Sequence, residues 1–153
     1  FNDLFIGAST HISARYKISY NNKVEEHSSS GLIVSTPAGS TGWLSSIFNM
    51  AYGVAGMFEK NLKPKRPKLR DNELLFAVRE PFQSIRTQTG ITAGIIKNQN
   101  RLTIESLMPT SGVIFSDGIE SDFLKFNSGS IATIGIAKET AKIVVMDKKI
   151  DTQ

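Results

Sequence analysis

The chain has 153 residues, a formal net charge of +4, 40% apolar and 21% charged side chains, the composition of one ordinary globular domain. It contains no cysteine, which excludes disulfides and thiol chemistry and suits a reducing cytoplasm. No apolar run approaches the roughly 20 residues a membrane helix needs, and no signal peptide opens the chain, so a cytoplasmic address without a membrane partner is expected.

The chain opens on Phe1 rather than methionine, and an excised piece of a longer protein is expected, with something upstream. Leu4 to Ser9 reads as a strand, and Ala14 to Tyr20 alternates apolar and polar side chains like a half-exposed one. Asn21-Asn22 tolerates positive φ, which predicts a hairpin back through Val24 to Ser29. His11 and His27 are the only histidines. Neither has a carboxylate arrangement typical of a metal triad or a Ser-His-Asp set, and both are read as surface residues.

Gly31 to Trp43 is the most informative stretch. Leu32 to Ser35 reads as a short buried strand, which Pro37 stops by removing a backbone donor. Ala38-Gly39-Ser40-Thr41-Gly42 is small and hydroxyl-rich, and a helix is predicted from Thr41 to Glu59 on the spacing of Leu44, Ile47, Phe48, Ala51, Ala55 and Phe58. Such a loop lets a ligand reach the backbone, while Ser40 or Thr41 can cap the helix and leave N–H groups pointing outward toward anions or sugar hydroxyls. The same residues can equally serve only to turn the chain and cap a helix.

Lys60 to Arg70 carries six positive charges and two prolines in eleven residues. With no interleaved aromatics and no nucleic-acid module around it, it reads as a solvated loop, and no nucleic-acid partner is expected. From Glu73 the pattern is β: Leu74 to Arg79, Ser84 to Gln88, Ile91 to Lys97, Arg101 to Leu107, Gly112 to Ser116, Phe123 to Phe126, Ser130 to Ala137 and Ala141 to Met146. Asn98-Gln99-Asn100 and Asn127-Ser128-Gly129 read as hairpin loops, and Asp117-Gly118 as a two-residue hairpin signal. Many short strands with one helix predict a mainly β fold, a many-stranded β-sandwich whose principal helix follows the Gly-Ser-Thr loop.

Gly-Leu-Ile-Val-Ser-Thr-Pro-Ala-Gly-Ser-Thr-Gly-Trp at 31–43 closely resembles the Gly-Leu-(Ile/Val)-Val-Ser-Thr-Pro-(Thr/Ser)-Gly-Ser-Thr-Ala-Tyr signature of the NAD kinase family. Asn2-Asp3 ahead of an apolar strand resembles the family's Asn-(Glu/Asp) motif. The resemblance covers the family's carboxy-terminal domain and implies a β-sandwich, one domain over residues 1–153, with the amino-terminal ATP-binding domain absent from this sequence. It implies a substrate-binding role for Asn2, Asp3, Ser40, Thr41, Gly42, Trp43 and, at an Asp-Gly position, Asp117.

The family transfers the γ-phosphate of ATP, in some members of polyphosphate, to the 2′-hydroxyl of the adenosine ribose of NAD, giving NADP. The general base is an aspartate in an upstream Gly-Gly-Asp-Gly-Thr loop, with a divalent metal such as Mg held mainly by that domain. Neither this loop nor a P-loop occurs here, so no catalytic or metal-binding residue is expected in this chain, and alone it should be inactive. Its partners would be NAD or a similar nucleotide, its own amino-terminal domain and further copies of itself. Trp43 and Gly42 replace the family's tyrosine and alanine, and Ser30 stands where an aspartate usually contacts substrate. These departures keep two alternatives open: a related superfamily kinase acting on a sugar or lipid, and a non-catalytic nucleotide-binding domain.

Overall fold

The computed structural model describes residues 1–58, 72–139 and 141. Among these residues ten strands, one α-helix and a short 3-10 turn form three layers. In chain order the strands are β1 (Asp3–Ala8), β2 (Ala14–Tyr20), β3 (Lys23–Ser29), β4 (Leu32–Ser35), β5 (Leu74–Val78), β6 (Ala93–Ile96), β7 (Leu102–Ser106), β8 (Gly112–Ser116), β9 (Leu124–Lys125) and β10 (Ile131–Ile134). The helix α1 (Trp43–Ala55) lies between β4 and β5.

One sheet has the order β6-β5-β4-β1-β8-β9 and the other β10-β7-β2-β3, antiparallel throughout. Strand alternation sends Leu4, Ile6, Leu32, Val34 and Phe76 inward from the larger sheet against Tyr16, Ile18, Leu102 and Ile104 of the smaller. The opposite face of the larger sheet is covered by α1. There Phe5, Ile33 and Val113 pack against Trp43 and Ile47, and Leu75 and Ala77 against Leu44 and Phe48. Strand β4 is therefore buried on both faces, which is why its sequence is a continuous apolar run. The expected sandwich is present, with the helix laid on its outside.

The Asn21-Asn22 hairpin forms with φ of 48° and 62°, the left-handed values its turn requires. Several expectations are corrected. Ser84 to Gln88 is not a strand: Ser84 Oγ accepts the amides of Arg86 and Thr87 at 3.2 Å, and Thr87 Oγ1 donates to Phe82 O at 2.7 Å, so side chains take up the backbone groups a ladder would use. This segment instead guards the open edge of β3, with Phe82 N donating to Ser28 O and Gln88 N to Glu26 O, both at 2.9 Å.

Asn98–Asn100 and Asn127–Gly129 do not close hairpins; each carries the chain from one sheet to the other. Asp117 and Gly118 do turn, with φ of 54° and 72°, but the chain pairs again with β8 only at Leu124. The helix is shorter than expected, Trp43–Ala55, and Gly42 occupies its N-cap with no side-chain cap bond, so neither Ser40 nor Thr41 caps it. Ser40 Oγ donates instead to Pro37 O at 2.7 Å. The basic stretch at 60–70 and most of the strand expected at 141–146 lie outside the described residues.

His27 also departs from expectation, since it is fully buried. Along β3 it is Glu25, His27 and Ser29 that face inward while Val24 is exposed, the reverse of the usual polarity. Polar partners make this tolerable: His27 Nε2 meets Glu25 Oε2 at 2.9 Å, and Ser29 Oγ meets the buried Tyr16 hydroxyl at 2.8 Å. Burial pushes the Tyr16 hydroxyl well above its ordinary pKa, so it stays a neutral partner.

Candidate functional site

The two sequence motifs meet at one end of the larger sheet. Register pairs Asp3 with Ser35 on one side, and Leu4 with Ser116 on the other, so the start of β1 lies between the end of β4 and the end of β8. The loop after β4 then wraps the Asn2 backbone. Asn2 O accepts from Thr36 N at 2.9 Å, Thr36 Oγ1 at 3.3 Å and Ser35 Oγ at 3.4 Å, and Thr36 Oγ1 in turn accepts from Gly39 N at 3.1 Å. Glycine at 39 is required by this approach, because a β-carbon there would collide with the Asn2 carbonyl.

Asp117 joins from the other side. Its Oδ1 accepts Asn2 N at 2.6 Å and Asp3 N at 3.3 Å, while its own N–H donates to Asp3 O at 2.9 Å. Asn2, Asp3, Ser40, Gly42 and Asp117 are thus gathered around the entrance of α1.

Asp3 is the chemically loaded member. Its Oδ2 lies 3.0 Å from where a β-carbon on Gly42 would stand, beside the start of the helix, where exposed amides favour negative charge. Its Oδ1 is buried without a hydrogen-bond partner among the described residues. A carboxylate oxygen withdrawn from water and left unpaired is costly, typically about 1–3 kcal/mol, and it offers an acceptor to an incoming hydroxyl. The exposed Asn2 and Thr41 and the bare backbone of Gly42 flank it.

Trp43 belongs to a second feature. Its ring stacks on Phe5 at 5.5 Å between centroids and 7° between planes, with Phe115 at 6.5 Å. Phe5 is held flat because it lies across Gly7 and Gly31, where a β-carbon would strike its ring. The Arg79 guanidinium sits 5.4 Å from the centre of the Trp43 ring. These residues form the wall of a cleft of about 780 Å³ that continues along Ala8 to Ser13 and past Ser30, Glu80, Glu120 and Phe123. Of the residues singled out by sequence, Trp43, Ser30 and His11 line this cleft; Asn2, Asp3, Ser40, Thr41, Gly42 and Asp117 do not.

Sequence reading missed Phe5, Phe115, Arg79 and Glu80. One signal was available for Arg79, a charged residue closing the wholly buried strand Leu74–Val78 just ahead of a proline. Among the described residues no three histidine, aspartate or glutamate side chains gather closely enough to hold a metal ion.

No protein-family model and no curated protein matches the sequence. Solved structures do resemble this fold. An NAD kinase from Archaeoglobus fulgidus in complex with ATP superposes with a TM-score of 0.56 at 15% identity, over 90% of this chain and 45% of that one. Yeast NADH kinase complexed with NADH gives 0.57 at 15% identity, over 86% of this chain and 33% of that one. The chain therefore spans less than half the length of either protein, and at this identity what is shared is the fold, which is NAD kinase-like.

Proposed function

We propose that this chain is the substrate-binding domain of an NAD kinase-like phosphotransferase, which moves the γ-phosphate of ATP to the 2′-hydroxyl of the adenosine ribose of NAD. The observation that carries the reading is the convergence of Asn2-Asp3 with the Gly39–Trp43 loop, and within it the unpartnered buried Oδ1 of Asp3. The likeness to kinases solved with ATP and with NADH supports it.

In this reading the Asp3 carboxylate accepts ribose hydroxyls, Asn2 and Thr41 supply further hydrogen bonds, and Gly42 lets the nucleotide lie against the backbone. Ser40 shapes the loop and Asp117 holds the chain start in place. These residues bind and orient; positioning of this kind is the larger part of what phosphoryl transfer asks of a protein. The general base and the metal-bound phosphates belong to an amino-terminal domain. The described residues do not fit a divalent-metal site.

Met50, Val54, Met57 and Phe58 are exposed along and just beyond the second half of α1, which supports burial of that face by the amino-terminal domain or by another copy of the chain. A cytoplasmic, oligomeric protein is part of the same proposal.

Calorimetric titration of the chain with NAD, with NADP, ATP and simple sugars as comparators, tests the reading. NAD should bind, and both Asp3→Asn and Thr41→Arg should abolish the signal. Binding of a sugar but not of NAD would favour a superfamily kinase with another acceptor, a reading supported by Ser30, which offers a hydroxyl where the family has a carboxylate. Transfer activity belongs to the full-length protein; a full-length enzyme that binds NAD without phosphorylating it would support the non-catalytic alternative.

A further inference from the structure

The cleft beside Trp43 is a built site in its own right. Three of its rings, Phe5, Trp43 and Phe115, are packed together, with centroids of 4.9 Å for Phe5 and Phe115, and Phe123 stands 45% exposed at its edge. A wall of this kind favours a flat, apolar ligand.

Arg79 adds a charge with unspent hydrogen bonds. Its side chain is only 28% exposed and lies over the indole, yet no described residue accepts a hydrogen bond from its guanidinium. The nearest carboxylate oxygen, Glu80 Oε1, is 3.9 Å away, beyond hydrogen-bond reach.

The backbone is shaped to hold that side chain there. Ser30 N donates to Arg79 O at 3.0 Å and Arg79 N to Gly31 O at 2.8 Å, so two residues oppose one in a bulge, a device that re-aims side chains. Gly31 has φ of 88°, and a β-carbon there would stand 2.7 Å from Ile6 O. On the other side Glu80 is held at φ of 44°, a left-handed conformation that glutamate adopts only under constraint.

The remaining charged or titratable lining residues are His11, Glu80 and Glu120, all exposed at the rim. A bare inorganic anion would leave the aromatic wall unused, and a cation would meet Arg79.

We propose that this cleft binds a planar aromatic carboxylate, with the ring against the Phe5–Trp43–Phe115 wall and the carboxylate taking paired N–H bonds from Arg79. The cleft shares Trp43 and Ser30 with the nucleotide reading but not Asn2, Asp3, Ser40, Thr41, Gly42 or Asp117, so benzoate binding through Arg79 and NAD binding through Asp3 stand or fall independently.

Trp43 is the only tryptophan of the chain, so its fluorescence reports on the site directly. The chain is titrated with benzoate, with the uncharged isostere benzamide, and with acetate, at constant ionic strength. Benzoate should give a saturable change and bind about tenfold or more tightly than benzamide, as expected for a hydrogen-bonded charge pair. Acetate should give no saturable change. Arg79→Gln should erase the benzoate preference, whereas Glu80→Gln, which removes a competing carboxylate, should strengthen benzoate and leave benzamide unaltered. A linear, non-saturating quench by benzoate, equal affinities for benzoate and benzamide, or a preference that survives Arg79→Gln would each overturn the assignment.

Discussion

The carboxylate of Asp117 accepts the backbone N–H of Asn2 at 2.6 Å across 115 residues of sequence. The bond ties the start of the chain to the β8 turn, and the neighbouring Asp3 is held in the same grip through its own N–H and carbonyl. A residue with φ of 54° is well suited to aspartate or asparagine and poorly to alanine. Asp117→Ala is therefore expected to cost about 1–2 kcal/mol in urea denaturation, and Asp117→Asn, which keeps an oxygen acceptor and tolerates the backbone, less than that. NAD affinity should fall with Asp117→Ala in parallel, because Asp3 loses its anchor. A variant as stable as the parent would show that the chain start is held by Thr36 and Ser35 alone.

Two glycines, one ahead of α1 and one in its last turn, should respond in opposite directions. A β-carbon at Gly39 would collide with the Asn2 carbonyl, and both atoms are backbone, so neither can swing aside. Gly39→Ala is expected to destabilise by about 1–3 kcal/mol. At Gly53, inside the helix, a β-carbon meets nothing within 4 Å, so Gly53→Ala should stabilise by about 1 kcal/mol through helix propensity. Thermal denaturation of both variants checks the pair, and a loss of stability in Gly53→Ala would mean that something covers this face of the helix.

Phe5 joins sheet and helix, being buried between Gly7 and Gly31 on one side and Trp43 on the other. Phe5→Ala should cost about 3–5 kcal/mol, the usual range for removing a buried phenylalanine. It should also shift Trp43 emission to the red as water reaches the indole. An unchanged emission maximum in a destabilised variant would place the loss in the sandwich core rather than under the helix.

Much of the architecture was readable from side-chain alternation and turn chemistry, where a local rule decides the outcome. Leu32 to Val34 is apolar on both faces, Asn21-Asn22 supplies two left-handed residues, and Gly39-Ser40-Thr41 stands where strand gives way to helix. The misreadings arise where two structures share one local signal. Asn98–Asn100 is as good a turn for a sheet change as for a hairpin, and only the partners of Asn100, whose Nδ2 donates to Tyr20 Oη at 3.3 Å and Asn21 Oδ1 at 3.0 Å, decide between them. His27 looked exposed because its neighbours are polar, and one of them, the partly buried Glu25, proved to be its partner. At the candidate site the motif residues were legible as residue types in order. The cleft was not, since Phe5 from β1, Arg79 just past the end of β5 and Phe115 from β8 are distant in sequence and no spacing rule connects them.

Glu25 gives a prediction about pH. Its partly buried carboxylate accepts from His27 Nε2 at 2.9 Å, Ile91 N at 2.9 Å and Gly90 N at 3.0 Å, tying the 80–91 segment to the edge of β3. Desolvation alone would raise its pKa, but the hydrogen bonds from His27, Ile91 and Gly90 outweigh that and hold the value below the ordinary glutamate range. A carboxyl whose folded value is depressed contributes stability that is complete above its unfolded value and is lost as pH falls through the folded one. The stability difference between the parent chain and Glu25→Gln should accordingly be constant near neutrality and shrink below about pH 4.3, the unfolded glutamate value. Hydrogen exchange at the Gly90 and Ile91 amides should accelerate over the same range in the parent, and at every pH in the variant. A stability difference that grows on acidification would mean that Glu25 is destabilised by its surroundings, and the staple between β3 and the 80–91 segment would have to be sought in the Gln88 and Phe82 backbone bonds instead.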